Sequence, residues 1–370
     1  MIKIFLLIIF LLVLAGLINK RVLRVIAVLL VVLMLYREVK NYWIENYWHV
    51  KRGANLYSSY HHVNDYLLKF VQRESFDVVD VNFGTKISII SPGGSIRVTP
   101  WDKDNIRIKV IKRAVSKKDL KNIKVSIETK RKSSDESSLD SVFITDIDSS
   151  PSWDLFGTKP VGKVDYQISM PYKMASLFLE AHSDIDVSGL NVEELNVKNR
   201  KGRVVIDDIK GVVSIYAVKG SVNITSIRGN VSANVLIGNV NCSNIFGSIS
   251  LESKKGSVCF SNIVGPVDIS LKRGDITLVD LLGKLNIDSL KGSISVDKAK
   301  GPIAIQLKHG SVELRDVYKE ANVFTNNGSI DIYRAVGAEG KIRGRTLSGQ
   351  VTVRDSQGHI VASSREVTIG

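Results

Sequence analysis

From Gly202 onward, polar and apolar positions repeat every nine residues. Glycine stands at 202, 211, 220, 229, 238, 247, 256, 265, 274, 283, 292, 301 and 310, gives way to Lys319, and returns at Gly328. A fixed period of this kind marks a repeat architecture. Within each nonamer the third and fifth residues are nearly always Val, Ile or Leu, and the fourth is usually Ser, Asn, Asp or Thr. Alternation with a period of two predicts a short strand with one buried face. The following glycine supplies the backbone freedom to turn a corner.

Two nonamer types alternate, so the full period is eighteen residues. One type reads GSVNITSIR (220–228), GSVCFSNIV (256–264) and GSVELRDVY (310–318); the other reads GSISLESKK (247–255), GPVDISLKR (265–273) and GPIAIQLKH (301–309). In the first type Asp208, Asn244, Asn262, Asp280 and Asp316 occupy position seven, where short polar side chains bond their own backbone and shape a turn. Ile209, Ile227, Ile245, Ile263 and Leu281 follow at position eight and plug the corner from inside. Pro266 and Pro302 sit at position two, at the start of a strand, where no ladder donor is needed. The register slips by three residues near 337–339 and resumes at Gly340, Gly349 and Gly358. The expected fold class is therefore all-β: a β-solenoid of nine-residue strands stacked in parallel, with 18 residues per two-strand turn and about nine turns. At about 4.8 Å per turn the stack would be roughly 43 Å long.

Residues 76–195 alternate less regularly. Phe76–Asn82, Lys86–Ser91, Ser95–Thr99 and Ile106–Lys112 read as strands, while Lys130–Ser138 and Asp146–Gly162 read as loops. We expect this region to cap one end of the stack, because terminal repeats are atypical.

The N-terminus is a different material. Ile2–Ile18 is apolar except for Lys3, and Val22–Tyr36 is apolar except for Arg24. Each arm has about 15–17 residues, roughly 23–26 Å as helix, which suits a tight transmembrane hairpin with snorkelling ends. The first arm also reads as a signal peptide, although Leu14-Ala15-Gly16-Leu17 is a poor cleavage site. Tyr42, Trp43, Tyr47 and Trp48 among Arg37, Lys40, Lys51 and Arg52 resemble an interfacial belt; a soluble amphipathic helix with an aromatic core is the alternative. The expected organisation is a transmembrane hairpin over 1–36, an aromatic and basic juxtamembrane segment over 37–75, a β-rich cap over 76–195 and the solenoid over 196–370. Basic residues lie at both ends and between the arms, so charge does not choose the orientation. The solenoid is expected on the extracytoplasmic side.

The formal charge of +14 over 370 residues favours anionic partners. Two cysteines exclude a disulfide scaffold. Cys242 falls at an inward position and Cys259 at an outward one, so both should be free thiols. His49, His61 and His62 lack Cys or acidic neighbours at ligand spacing, and no metal or cofactor is expected.

The chain resembles the bacterial toast-rack, or adhesin-like, family of membrane-anchored envelope proteins. The resemblance covers about 76–370. It rests on Gly94-Ser95-Ile96-Arg97-Val98 followed by Trp101-Asp102, on Val164-Asp165-Tyr166-Gln167-Ile168 with Pro171, and on the glycine ladder. It implies a surface or envelope-stress role and carries no catalytic residues. The two-arm anchor departs from the single anchor of the pattern.

An enzyme is not expected. The nonamers run without insertions that would wall a cleft, and Asp207, Asp208, Asp268, Asp280 and Asp316 are single, whereas paired-carboxylate catalysis needs two acids at a fixed separation. The candidate site is a basic ladder: Lys219, Lys255, Arg273, Lys291 and His309 at position nine of the second nonamer type, with Lys254, Lys272 and Lys308 at position eight. It would bind an anionic polymer, or it is a solvated edge; Glu252 and Asp288 lie nearby. The leading expectation is a non-enzymatic, membrane-anchored adhesin-like or scaffolding module. Its partners would be membrane lipid through residues 1–36 and an anionic envelope polymer or another envelope protein, with no nucleic acid. A cytoskeleton-like polymer that self-associates through the solenoid ends is the alternative, and a polysaccharide-active enzyme a remote second.

Overall fold

The computed structural model describes residues 68–132, 135–148, 162–364 and 366–369. The two apolar arms and the aromatic segment up to residue 67 lie outside the described residues. Among the described residues no helix is long and apolar enough to cross a membrane.

The chain is an all-β parallel solenoid of about 10 turns. Strands β1 (Phe70–Val78), β2 (Lys86–Ser91), β3 (Ile96–Trp101), β4 (Ile106–Ala114), β5 (Ile123–Lys132), β6 (Asp135–Asp148), β7 (Gly162–Pro171), β8 (Lys173–Ala181), β9 (Ile185–Lys201) and β10 (Val204–Lys219) come first, with a short helix α1 (Lys117–Asn122) between β4 and β5. From Val222 to Ile369 the strands follow one another at every corner. As far as Val317 the strands pair in parallel with an offset of eighteen residues, as in Val258↔Ile276 and Val267↔Leu285, and beyond it the offset becomes mostly 21, as in Ile330↔Val351. Two ladders result. The first runs through Val204–Lys210, Val222–Arg228 and Val240–Phe246; the second runs through Val213–Lys219, Val231–Ile237 and Ile249–Lys255.

One continuous core lies between the ladders. Positions three and five point inward in both, as the alternation requires: Val258, Phe260, Val267 and Ile269 are all buried. Beyond position five the ladders differ. In the first, Asp208, Asn244, Asn262, Asp280 and Asp316 adopt left-handed φ near +50° to +56°, a conformation that Asn and Asp tolerate better than most residues. The kink turns position eight inward, so Ile209, Ile245 and Ile263 are buried. The second ladder stays straight, and position seven is the buried one. There Leu271 and Leu307 alternate with Ser253 and Ser289; a leucine in one row leaves space only for a small side chain in the next. The Ser253 and Ser289 hydroxyls have no hydrogen-bond partner among the described residues.

The glycine period has a steric cause. A Cβ on Gly238 would overlap the carbonyl oxygen of Gly220 in the turn before it. The missed glycine, Lys319, stacks over Gly301, whose φ is not left-handed. The strands beside that corner, Ile294–Ala299 and Val312–Val317, end one residue early, and Lys319 does not adopt the left-handed φ of the other corners. The expected slip is present: pairing shifts between Val336 and Lys341.

The turn count exceeds the nine expected because Ile185–Lys201 forms a further turn ahead of Gly202. Its strand holds one extra residue, and pairing with β10 shifts between Lys210 and Val212. That insertion breaks the glycine period while leaving the ladder intact.

The same ladders continue toward the N-terminus: β8 pairs with β2 and β2 with β6 in parallel, and β3 bridges β9 and β7. The outer strands then reverse, with β4 antiparallel to β7, β1 to β4 and β5 to β6. Two expectations are corrected here. The strand read at 76–82 instead runs from Phe70 to Val78, and Asn82 closes a turn by accepting the Gly84 N–H at 2.9 Å through its side chain. The polar stretch 130–138 is not a loop but mostly the paired ends of β5 and β6. Residues Glu128–Arg131 are exposed, and an edge strand that is solvated in this way does not alternate.

Candidate functional site

The corner that follows each second-ladder strand is pinned row to row. Each glycine N–H donates to the carbonyl of position nine in the next turn: Gly238 to Lys255 at 2.8 Å, Gly256 to Arg273 at 3.1 Å, Gly274 to Lys291 at 3.0 Å and Gly292 to His309 at 3.1 Å. The side chains leaving those carbonyl-bearing residues therefore form a straight column. Lys255, Arg273, Lys291 and His309 occupy four successive rows, with Lys254, Lys272 and Lys308 beside them, and all are exposed. Lys219 lies two rows earlier, beyond Ile237, which is 49% exposed and interrupts the column. Leu290 takes the place of a position-eight lysine.

Among the described residues none of these eight basic residues takes part in an ion pair. The Asn327 side-chain nitrogen lies 3.1 Å from His309 Nδ1. At about 4.8 Å between rows, neighbouring unit charges repel by about 0.9 kcal/mol in water and about 3.5 kcal/mol at an effective dielectric of 20. Splayed side chains in water sit near the lower figure. An anion laid along the column would convert that repulsion into attraction.

Inboard of the column, the outer face of the second sheet holds a shallow groove of about 570 Å³ lined by Ser250, Glu252, Asp268, Asn286, Asp288 and Gln306 among others. The Asn286 amide donates to Asp268 Oδ1, and the Asn234 amide to Glu252 Oε2 at 3.1 Å. In the sequence, position four reads as a flat polar ladder through Ser214, Ser232, Ser250 and Asn286 that suits an extended ligand, and the structure adds that its rows at Ser250 and Asn286 form a groove with the acidic residues beside them. Its signal was available in positions four and six of the second nonamer type, read as two columns.

The opposite edge has a different surface. Phe246, Val264 and Leu282 stand there in successive rows, 57%, 40% and 53% exposed, flanked by Arg228 and Lys300.

Cys242 is buried and Cys259 exposed, and both are free. Burial pushes the Cys242 thiol well above its ordinary value. Tyr166 is also held far above its ordinary value by burial and by the nearby Asp146 carboxylate, which accepts its hydroxyl at 3.2 Å. Asp165 receives the Ser95 N–H at 2.9 Å and hydroxyl at 2.8 Å and pairs with Arg113 at 3.2 Å. These groups tie the Gly94-Ser95 corner to β7 and are structural.

No protein-family model matches the chain, and no curated protein matches it. Among solved structures it is similar to a putative cell adhesion protein from Clostridium sporogenes, with 13% identity, a TM-score of 0.32, and coverage of 61% of this chain and 99% of that one. A likeness at that level carries no argument about function.

Proposed function

We propose that the chain is a non-enzymatic binding module, adhesin-like in character, whose basic edge holds anionic polymers at a cell surface. The observation that carries this is the column of exposed basic side chains without ion pairs over four successive rows, on a backbone hydrogen-bonded from row to row. Flexible like charges on an ordinary surface disperse; here the ladder holds their attachment points in register. Kinship with the toast-rack family and membrane anchoring through residues 1–36 belong to the same proposal, with the solenoid facing outward.

Lys272→Glu combined with Arg273→Glu should weaken binding to anionic polymers by about tenfold or more at moderate salt, and wild-type binding should fall steeply as salt rises. Titration at two ionic strengths checks both. Binding unchanged by the double substitution would leave the column as solvated surface. Protease treatment of intact cells tests the location: an outward-facing solenoid is removed, and a protected one is inside.

A further inference from the structure

The geometry points to a linear polyuronate, a polysaccharide with one carboxylate on each sugar ring, as the polymer that the second sheet binds. This rests on the anion-binding reading above and adds the substrate class. Two features of the site carry it: the spacing of its charges and their one-sidedness.

Basic side chains at position nine recur once per row from Lys255 to His309, with attachment points about 4.8 Å apart. A duplex nucleic acid presents a charge about every 1.7 Å of its axis, nearly three per row, and inorganic polyphosphate carries one on every phosphorus. A 1,4-linked sugar advances a chain by about one row, so a polyuronate carries about one charge per row along its length, of the same order as the basic side chains of the column.

The site is also polar in two different ways. Across each strand the outward positions run from four and six to eight and nine, with alternate residues separated by about 6.7 Å, of the order of a sugar ring's width. Positions four and six carry Glu252, Asp268, Asn286 and Asp288, while positions eight and nine carry the cations. A uniformly charged polyanion would set part of its charge against those three carboxylates. A uronate ring presents its carboxylate on one edge and hydroxyls on the other. Successive rings of a 1,4-linked chain are turned relative to one another, so the hydroxyls of some rings can donate to Glu252, Asp268 and Asp288, which as carboxylates only accept, while the acid edges of others face the lysines. Position six also carries Tyr216 ahead of the groove and Phe324 beyond it. Tyr216 is exposed and its face suits the C–H face of a sugar, whereas the Arg345 guanidinium lies over the Phe324 ring.

The test measures binding of the full-length chain in detergent to polygalacturonate, to its full methyl ester and to inorganic polyphosphate, at matched monomer concentration. Polygalacturonate should bind at least about tenfold tighter than polyphosphate, and esterification should abolish binding. The sign of one variant separates the mechanisms: Asp268→Ala with Asp288→Ala should weaken polygalacturonate binding, because hydroxyl acceptors are lost. If affinity rises instead, the acids merely repel and the polyuronate inference is overturned. Equal or tighter binding to polyphosphate also overturns it while leaving the anion-binding reading intact. Binding to none of the three polymers overturns both.

Discussion

The edge after the first ladder and the edge after the second are closed by stacked glycines with the same steric requirement, yet their approaches and surfaces differ. Before the first edge the chain kinks through a left-handed Asn or Asp, which sends position eight inward and leaves Phe246, Val264 and Leu282 at position nine outside. Before the second edge the strand stays straight, so positions eight and nine are both exposed and carry lysine and arginine. The kink moves the outward position from eight, where the straight strand has it, to seven, where Asn244, Asn262 and Asp280 are exposed. Adjacent outward positions, and with them a doubled basic column, are therefore available at one edge and not at the other. Inward columns and corner glycines hold the stack together, and the outward columns are left to vary with function.

The largest expected effect tests what the edges share. Gly256→Ala at the basic edge and Gly265→Ala at the apolar edge each place a Cβ on the carbonyl of the glycine one turn earlier. Each should destabilise the stack by about 4 kcal/mol or more, read from the denaturant midpoint. Tolerance at one edge would show that its corner can change conformation to accept a side chain, as at Lys319.

A smaller effect tests what they do not share. Asn262→Val forces a β-branched residue into left-handed φ and should lose about 2 kcal/mol, whereas Ser270→Val, outward on the straight ladder, should be nearly neutral. Lys298 holds the same left-handed position with φ +55°, so Lys298→Asn should gain about 0.5 kcal/mol. Thermal unfolding of the three variants checks the order; equal losses for Asn262→Val and Ser270→Val would remove the kink as the distinction between the ladders.

The smallest effect sharpens the functional contrast. Ile237→Lys joins Lys219 to the four-row column and should raise affinity for a long anionic polymer by up to about fivefold. Val264→Lys on the apolar edge adds the same charge out of line and should not. Equal gains would mean that net charge, rather than the row, governs binding.

The glycine period, the inward positions three and five, and the turn-forming role of position seven were all legible along the chain, because each follows from a local backbone requirement, whereas the left-handed φ at position seven came from the structure. The turn at 185–201 was not, since one inserted residue erases the period without disturbing hydrogen bonding. The N-terminal strands were legible as strands but not as members of the same ladders, because β2 inserts between β6 and β8 through pairings distant in sequence. The basic column could be read from spacing.

What the sequence by itself determined, then, is the repeat: steric exclusion at the corners and burial of alternate residues leave a chain with this period little else to form. Tertiary structure decided how columns become surfaces. Stacking placed Glu252, Asp268 and Asp288 in one groove beside the lysines, although eighteen residues separate one row from the next, and it separated the basic edge from the apolar one. Those juxtapositions arise from parallel pairing across turns, which no local stretch of sequence contains.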